Sequence, residues 1–304
     1  MKDLVIIGAG PAGMTAGIYA TRAGLSALVL EHNYVSGGQI INTYEVDNYP
    51  GFPGINGFDL AQKMREHADA LGVVFDTADV RRVERIDGGF RVSSDKDPID
   101  TKTVIIASGA DHSKLGIPGE DTYGGMGVSY CATCDGAFYR GKDVAVIGGG
   151  DVAVEDAIFL ARACRKVYVV HRRDALRAQK SLQDKLFACD NVEIVWDSNG
   201  TAIEGKDGKV SALIVQNKFS GETKKLDVDG VFIAVGIVPN SEVFGGLIDQ
   251  DDKGYILADE TGATSTPGIF AAGDVRAKAL RQIVTAVGDG ANAVAAVERY
   301  LNEQ

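Results

Sequence analysis

The sequence of 304 residues lacks any apolar run long enough to cross a membrane. Its opening apolar stretch, within residues 1–13, is too short for a signal peptide and ends in a glycine pattern. Positive charge is scarce as well, because 31 Lys and Arg stand against 42 Asp and Glu, a formal net charge of −11. This balance argues against nucleic acid or an anionic membrane as a partner. We therefore expect a cytoplasmic protein that binds neither.

Cysteine and histidine are also rare, with four residues of each. Cys131 and Cys134 form a close pair, whereas Cys164 and Cys189 stand alone and the histidines show no ligand spacing. A zinc site would need a second close pair, so we expect no metal. In a reducing compartment an inert structural disulfide is disfavoured too. Cys164 and Cys189 are predicted to be packing residues.

Glycine, by contrast, is abundant at 38 residues, which indicates several tight turns or close backbone approaches. Gly8, Gly10 and Gly13 form a turn with the GxGxxG spacing. The patterns around it predict a strand at 3–7, a helix at 11–23 and a second strand at 27–30. Glu31 follows that second strand. This arrangement predicts a dinucleotide site, in which the helix N-terminus attracts a pyrophosphate and Glu31 accepts hydrogen bonds from a ribose diol.

The same pattern occurs again in the middle of the chain, which indicates an internal duplication. It predicts a strand at 144–147, a helix at 152–163 and a strand at 167–170. The turn contains Gly148 and Gly150, with Ala153 in the third position. Instead of an acid, the second strand is followed by a basic cluster: His171, Arg172, Arg173 and Arg177. Arginines bind a 2′-phosphate with charge-assisted hydrogen bonds, so this site suits NADPH, the alternative being a solvated basic helix start.

The second unit is predicted to be inserted into the first. Matching strand-then-glycine segments, 104–109 and 231–236, lie near the edges of the middle region. An α/β fold with two dinucleotide-binding units, one inside the other, follows from this order.

The last part of the chain supplies a further strand pattern at 268–271, followed by Gly273 and Asp274 and then by a helix pattern at 283–301. Ligands of open α/β sheets bind at the carboxyl ends of the strands, where Asp274 is expected to lie. Gly288 and Gly290 inside the helix indicate close packing, either against a flat ligand or against another helix.

The cysteine pair has the spacing of one helical turn, which lets two sulfurs alternate between dithiol and disulfide. A helix dipole favours a thiolate at the helix start, and Cys134 is expected to lie nearer to that start. Asp135, the next residue, is a candidate for moving the proton that thiol exchange requires. The alternative is a pair of buried, unreactive thiols, which leaves the neighbouring dinucleotide sites without a role.

With these motifs in place, the chain resembles the low-molecular-weight thioredoxin reductases over its whole length. Four motifs carry the resemblance in matching order and spacing: 131–136 (CATCDG), His171-Arg172-Arg173 with Arg177, Gly37-Gly38-Gln39, and Gly273-Asp274 leading to Arg281-Gln282. The resemblance implies two Rossmann-like three-layer dinucleotide-binding domains of the class II pyridine nucleotide-disulfide oxidoreductase type. An NADPH-binding domain at 114–241, which carries the CxxC motif, is inserted into an FAD-binding domain formed by 1–113 and 242–304.

The resemblance also implies site residues and a reaction. FAD is expected at the first site, near Gly38, Gln39, Asn48, Gly273, Asp274, Arg281 and Gln282. Electrons would pass from NADPH through FAD to the Cys131–Cys134 disulfide and then to thioredoxin, in a homodimer. Cys134 is expected nearest the flavin because of its predicted place near the helix start. The middle domain would rotate between the two half-reactions about hinges near Leu115 and Asn240.

The chain departs from the family pattern at two places. Val152 stands where family members often have Ser or Thr, and Ala137-Phe138 stands where some members have two aromatics. These departures bear on NADPH affinity and on the choice of partner. The alternatives for function are reductases of the same architecture that serve a glutaredoxin-like or peroxiredoxin-linked acceptor, a ferredoxin-driven relative without a working NADPH site, and a flavoprotein redox sensor without turnover.

Overall fold

A computed structural model describes residues 1–43, 46 and 48–304 of the chain. These residues form two compact units. The first unit comprises residues 1–43, 49–111 and 238–304, and the second is built on His112–Ile237. The two ends of the chain therefore fold together, and the middle of the chain folds by itself.

The secondary structure consists of seventeen strands and six α-helices within the described residues. The strands are β1 (Lys2–Ile7), β2 (Ala27–Glu31), β3 (Phe75–Thr77), β4 (Val80–Ile86), β5 (Gly89–Ser94), β6 (Ile99–Ile106), β7 (Ala110–His112), β8 (Val128–Ser129), β9 (Asp143–Ile147), β10 (Lys166–Val170), β11 (Val192–Val195), β12 (Ser198–Lys206), β13 (Lys209–Asn217), β14 (Thr223–Asp227), β15 (Gly230–Ile233), β16 (Ile237–Pro239) and β17 (Ile269–Ala271). The helices are α1 (Pro11–Arg22), α2 (Gly57–Ala70), α3 (Ala132–Asp135), α4 (Asp151–Ala161), α5 (Lys180–Phe187) and α6 (Ile283–Asn302). Short 3-10 helices cover Gly38–Asn42, Gly136–Tyr139, Glu242–Phe244 and Gly273–Val275. In this part of the chain, no helix combines the length and the apolar character that a bilayer crossing requires.

The first unit is built on a parallel sheet. β3, β2, β1, β6 and β17 lie side by side in that order and all pair in parallel, while β4 and β5 extend β6 as an antiparallel meander. Side chains alternate across the sheet, as a strand requires. Leu4 and Ile6 enter a core with α1 and α6, whereas Val5 and Ile7 enter a second core on the opposite face, which contains Phe90 of the meander. Both faces are covered, which gives three layers.

Small residues let the helices of the first unit approach closely. α1 and α6 pack against each other. A Cβ added to Gly290 would lie 2.2 Å from the carbonyl oxygen of Ala12, whereas one added to Gly288 would meet nothing within 4 Å. Crowding against a neighbouring helix therefore accounts for Gly290, and Gly288 has no packing role of this kind.

The second unit repeats this architecture. β11, β10, β9, β15 and β8 form a parallel sheet in that order, and β12, β13 and β14 form an antiparallel meander. Val144 and Val146 face a core with α4, and Ala145 and Ile147 face a core with the meander. The two parallel sheets differ in the origin of their last strand. In the second unit this strand, β8, comes before the other strands of its sheet in the chain, whereas in the first unit β17 comes after the others.

The two chain segments that join the units are paired strands. β7 and β16 form a two-stranded sheet. Within the first unit, the Asn240 backbone N–H donates to Gly109 O at 3.0 Å, and Ser108 Oγ donates to Asn240 O at 2.6 Å. Within the second unit, Ser113 N–H donates to Gly236 O at 2.9 Å. Both ends of the paired strands are thus fixed by hydrogen bonds.

The predicted α/β class and its repeated strand–turn–helix pattern are confirmed. The helices predicted at 11–23, 152–163 and 283–301 are found at Pro11–Arg22, Asp151–Ala161 and Ile283–Asn302. The strand predicted at 268–271 is found at Ile269–Ala271. The glycine turns and apolar alternation that predicted these elements are local features, which explains the agreement.

Candidate active site

The first glycine turn has room for a ligand at one glycine and none at the other two. Gly8 has a φ of 105°, and a Cβ there would lie 2.4 Å from Ala107 O. A Cβ on Gly13 would lie 1.8 Å from Gly8 O, so α1 packs directly on the turn. Gly10, the N-cap of α1, has nothing within 4 Å of its Cβ position. The open side of the turn therefore lies at the start of α1, where backbone N–H groups attract an anion.

Glu31 ends β2 and folds back on this turn. Its Oε2 accepts a hydrogen bond from Ala9 N–H at 2.7 Å, and its Oε1 accepts one from Asn33 N–H at 3.0 Å. A carboxylate has about four acceptor positions, so these two bonds leave capacity for hydroxyl groups of a ligand. Glu31 both shapes the turn and remains able to bind a ribose diol.

The segment Gly37-Gly38-Gln39 borders the same turn. Gly37 N–H donates to Ala9 O at 2.9 Å, and Gly38, with a φ of 59°, has its Cβ position 3.6 Å from the Cα of Gly10. Gln39 is half-buried in the 3-10 helix that begins at Gly38. Asn48 is exposed. Cofactor contacts of Gln39 and Asn48 stay predictions.

Asp274 offers a free acceptor beside the turn. Gly273, just after β17, has a φ of 81°, and a Cβ there would lie 2.9 Å from the Cβ of Ala12 in the first turn of α1. The Oδ1 atom of Asp274 is buried and has no hydrogen-bond donor among residues 1–43, 46 and 48–304. Lys278 Nζ lies 3.3 Å away, which makes an ion pair but not a directed hydrogen bond. A buried acceptor without a donor fits a hydroxyl group of a bound dinucleotide.

A buried ion network, which the sequence analysis missed, supports the segment that carries Asp274. Asp289 of α6 is 9 % exposed and accepts hydrogen bonds from Gly273 N–H at 3.0 Å, from Lys278 Nζ at 3.1 Å and from the Arg276 guanidinium at 2.9 Å. Burial alone would raise the pKa of Asp289, but Arg276 and Lys278 outweigh it and lower that pKa. The only available signal was an aspartate on the apolar side of α6.

Arg281 and Gln282 support the same region. The Arg281 guanidinium lies 4.0 Å from the centre of the Tyr255 ring, and its Nε donates to Asp274 O at 3.4 Å. The side chain of Gln282 caps α6 in a reciprocal arrangement with Thr285. A direct contact of either residue with a cofactor stays a prediction.

The second glycine turn follows the first with one difference. A Cβ on Gly148 would lie 2.4 Å from Ala234 O, and Gly150, the N-cap of α4, is open. Gly149 is not among the predicted site residues, but the position requires glycine, because a Cβ there would lie 2.2 Å from Nδ1 of His171. Ala153, in the third position, is fully buried. The second turn therefore also has its open side at the start of a helix.

His171 lies beneath this turn. Its side chain is buried, with Nε2 3.1 Å from Ala175 O. Burial lowers the pKa of His171, and the charges of the neighbouring arginines lower it further, so the imidazole is neutral at physiological pH. This placement makes His171 a support for the turn. Its direct contact with a nucleotide stays a prediction.

The three arginines behind His171 lie on the surface. Arg172, Arg173 and Arg177 are exposed, and none of them forms an ion pair with a carboxylate in the described part of the chain. Arg177 N–H donates to Gly149 O at 2.7 Å, which brings the cluster beside the glycine turn. Three fixed positive charges next to an open helix start suit an anionic group such as a 2′-phosphate.

The cysteine pair forms a disulfide at the start of α3. Cys131 is the N-cap of α3, and its Sγ accepts a hydrogen bond from Cys134 N–H at 3.2 Å. The prediction that Cys134 lies nearer to the helix start is therefore wrong, because an N-cap precedes the first helical residue. Both cysteines are half-buried. The assignment of Cys134 as the sulfur nearest a flavin stays a prediction, without the argument that supported it.

Asp135 is held by a neighbouring serine. Ser129 Oγ donates to Asp135 Oδ2 at 2.6 Å and accepts a hydrogen bond from Cys131 N–H at 3.1 Å. Asp135 Oδ1 is buried and has no hydrogen-bond partner within the described ranges. Burial raises the pKa of Asp135, and the Ser129 hydrogen bond offsets part of this rise. A carboxyl group of raised pKa that follows two cysteines in the chain is a candidate for general acid–base chemistry on their sulfurs.

The remaining cysteines lie elsewhere. Cys164 is buried in the core of the second unit, and burial raises its pKa to about 11. Cys189 is half-buried, and its Sγ donates to Lys185 O at 3.3 Å. The packing role predicted for Cys164 is confirmed by this burial. Across residues 1–43, 46 and 48–304, no group of three His, Cys, Asp or Glu side chains is arranged to hold a metal ion.

Comparison with known proteins places these features in context. Residues 2–290 match the family model described as "Pyridine nucleotide-disulphide oxidoreductase". Thioredoxin reductases from Listeria monocytogenes and Bacillus subtilis are 48 % and 46 % identical over 303 residues, which is 99 % of this chain and 94 % and 95 % of theirs. The crystal structure of thioredoxin reductase from Streptococcus pyogenes is similar with a TM-score of 0.96 at 48 % identity, covering 100 % of this chain and 99 % of that one.

Proposed function

Since the chain belongs to the pyridine nucleotide-disulphide oxidoreductases and, among them, to the thioredoxin reductases, we propose that it reduces oxidised thioredoxin with NADPH. The overall change is NADPH, a proton and a protein disulfide giving NADP⁺ and a protein dithiol. The observation that carries the proposal is the Cys131–Cys134 disulfide at the start of α3, with the unpartnered carboxyl oxygen of Asp135 beside it.

The first unit is proposed to hold FAD. Gly8 and Gly13 let the turn and α1 pack tightly, and the open side at Gly10 leaves the pyrophosphate an approach to the start of α1. Glu31 takes the ribose hydroxyls, and Asp274 Oδ1 accepts from a further hydroxyl. Asp289 fixes the segment that carries Asp274 through its bonds to Gly273, Arg276 and Lys278. Bound FAD would supply two-electron transfer between a nicotinamide and a disulfide.

The second unit is proposed to hold NADPH. Gly148 lets the turn pack closely, and Gly150 leaves the start of α4 open to the pyrophosphate. The exposed guanidinium groups of Arg172, Arg173 and Arg177 bind the 2′-phosphate. The neutral imidazole of His171 keeps the turn in place from below. Three uncompensated positive charges give a preference for NADPH over NADH and argue against a ferredoxin-driven reductase.

The cysteine pair and Asp135 carry out the thiol chemistry. Reduction of the Cys131–Cys134 bond takes two electrons and two protons, and attack of the resulting dithiol on thioredoxin breaks the acceptor disulfide through a mixed disulfide. Burial raises the pKa of Asp135, so this carboxyl group is suited to pass a proton to a cysteine thiolate through its unbonded oxygen Oδ1 and to recover it when the thiol attacks.

Further parts of the proposal rest on the family alone. They are a homodimer, a cytoplasmic location, assignment of residues 114–241 to NADPH and of 1–113 and 242–304 to FAD, and rotation about hinges near Leu115 and Asn240. Along the chain, Leu115 follows β7 and Asn240 follows β16, and these two strands pair with each other. Sedimentation of the purified protein tests the dimer independently of any turnover.

The decisive experiment is steady-state oxidation of NADPH by the FAD-loaded protein with oxidised thioredoxin. We expect turnover that requires thioredoxin, prefers NADPH to NADH, and disappears in Cys134→Ser. Cys189→Ser is the matched control, because Cys189 lies just after the end of α5 and outside the cysteine pair. Its turnover should equal that of the unaltered protein.

Other outcomes separate the alternatives. If NADPH reduces the flavin but thioredoxin draws no turnover, the acceptor is wrong, and a glutaredoxin-like or peroxiredoxin-linked protein takes its place. If the flavin is reduced once and no disulfide protein reoxidises it, the chain is a redox sensor. If NADPH does not reduce the flavin at all, the assignment of the arginine cluster is wrong.

A further inference from the structure

Ser129 is a buried hydroxyl between the two groups that carry the thiol chemistry. It is 5 % exposed and ends the short strand β8. Its Oγ lies 2.6 Å from Asp135 Oδ2, 3.1 Å from Cys131 N and 3.3 Å from Cys131 O. One hydroxyl has one proton, and the shortest contact to an acceptor takes it. Ser129 therefore donates to Asp135 while it accepts from the Cys131 backbone N–H.

This contact divides the Asp135 carboxyl group into two unequal oxygens. Oδ2 is held by Ser129, whereas Oδ1 is buried and has no hydrogen-bond partner among the residues described. A buried polar atom without a partner is costly, so its persistence calls for an explanation. The Ser129 contact therefore leaves Oδ1 as the oxygen without a hydrogen bond among the residues described.

We propose that Ser129 is a positioning residue of the disulfide reaction, which fixes the orientation of the Asp135 carboxyl group relative to Cys131 and stabilises its ionised form. This inference rests on the proposed function, since it deepens the role of Asp135 there. It concerns a residue that acts through Asp135 and not on the substrate. A hydrogen bond donated to a carboxylate is stronger than one donated to a protonated carboxyl group. The Ser129 hydroxyl therefore favours the ionised form of Asp135 over the protonated form.

Other titratable groups surround Asp135 and have to be separated from it. Cys131 and Cys134 belong to the same segment, and Tyr139 lies on the following 3-10 helix. Burial raises the pKa of Tyr139 to about 12, and the charges of Asp135, Asp229 and Cys164 add to the rise. Asp156 lies on α4, the helix against which α3 packs, and burial raises its pKa to about 7, with a contribution from Glu155.

The test is the pH dependence of alkylation of the reduced cysteines by iodoacetamide. The FAD-loaded protein is reduced with dithiothreitol, and the rate is followed for Ser129→Ala, Ser129→Thr and Asp135→Asn beside the unaltered protein. The inflection that disappears in Asp135→Asn reports the Asp135 carboxyl group. Asp156→Asn should leave this inflection in place, which separates the Asp135 carboxyl group from that of Asp156.

Loss of the Ser129 hydroxyl removes a hydrogen bond from the carboxylate, so the inflection moves to higher pH in Ser129→Ala. The inflection should move by about one to two pH units, because one hydrogen bond to a charged group changes the ionisation equilibrium about ten- to a hundredfold. Ser129→Thr keeps a hydroxyl and should restore the original profile. Ser198→Ala removes an equally buried hydroxyl that donates to a backbone carbonyl, Trp196 O, and should change nothing.

Two results would overturn the inference. One is a Ser129→Ala profile that superimposes on that of the unaltered protein, and the other is a Ser129→Thr profile displaced as far as that of Ser129→Ala. The profile uses neither NADPH nor thioredoxin. A missing turnover with thioredoxin, combined with the expected displacement in Ser129→Ala, therefore contradicts the proposed acceptor and leaves the role of Ser129 standing.

Discussion

Glu31 in the first unit and His171 in the second stand at the same structural position, one residue beyond the strand pairs Ile7–Leu30 and Ile147–Val170. Each side chain contacts the middle residue of its glycine turn. Glu31 accepts the N–H of Ala9, and the His171 ring fills the space that a Cβ on Gly149 would need. The parallel sheet and the turn thus set where a dinucleotide binds in each unit. The residue at this shared position makes the difference, because Glu31 can accept hydrogen bonds from ribose hydroxyls, whereas His171 supports the turn next to the arginine cluster.

The largest effect is expected at the third glycine position of the GxGxxG turn, where the two units have different residues. Gly13 of the first unit corresponds to Ala153 of the second, and a Cβ on Gly13 would lie 1.8 Å from a backbone oxygen. We expect Gly13→Ala to destabilise the first unit by about 3 kcal/mol or more, because α1 must move off the turn. Urea unfolding together with retention of FAD measures this.

The reciprocal change is the matched control. Ala153→Gly should cost only about 1 kcal/mol, the usual penalty of glycine in a helix, with FAD retained. If the two variants were equally stable, the two turns would be interchangeable at this position and the close packing of α1 on its turn would not matter.

The arginine cluster gives the next largest effect. Arg173→Ala removes a charge-assisted contact to the 2′-phosphate and should raise the KM for NADPH about ten- to a hundredfold, with the KM for NADH unchanged. Steady-state kinetics with both nucleotides checks this. Arg162→Ala, an exposed arginine at the end of α4, should leave both KM values unaltered. Equal loss for NADH would show that Arg173 does not recognise the phosphate.

Buried carboxyl groups distinguish the units by pH. In the first unit Asp289 is paired with Arg276 and Lys278 and its pKa is lowered. In the second unit Asp156 forms no ion pair within the described part of the chain, and burial raises its pKa to about 7. A raised carboxyl pKa contributes stability that is present below the ordinary pKa of 3.8 and is lost as the pH rises through about 7.

Asp156→Asn should therefore stabilise the protein by about 1 to 2 kcal/mol near pH 8, and by progressively less as the pH falls toward about 4. Guanidinium unfolding at a series of pH values measures the difference. Glu155→Gln, a change at the exposed neighbour on the same helix, should stabilise the protein much less near pH 8. A constant gain of Asp156→Asn at all pH values would contradict the assignment of the effect to ionisation.

The smallest expected effect is on NADPH binding, and it concerns the second residue of α1 and of α4. Ala12 is 4 % exposed because the Gly273 segment lies against it, whereas Val152, its counterpart, is 55 % exposed. Val152→Ser would add a hydroxyl at the open start of α4 and should lower the KM for NADPH about two- to threefold. Val152→Ala controls for loss of the apolar side chain, and an equal improvement there would exclude a hydroxyl contact.

Local patterns in the sequence were enough for the sheet-and-helix units, the two glycine turns and the disulfide pair. They failed where the answer depends on residues far apart in the chain. The bonds of Asp289 to Arg276 join α6 to the segment after β17, and no spacing announces them. The burial of His171 depends on its contact with Gly149, more than twenty residues earlier. The role of Cys131 as N-cap depended on where a four-residue helix begins, which is the least certain boundary from sequence.

The different chain positions of β8 and β17 bear on how such a protein could be assembled from parts. The inserted unit takes its outermost strand from its own beginning, and the paired strands β7 and β16 bring its first and last residues side by side. A segment whose two ends lie next to each other can be replaced as a unit, because a short connection is enough to join the two chain ends that remain. Residues 112–237 have this property, so grafting another nucleotide-binding module between residues 111 and 238 would need only a connection between neighbouring strand ends.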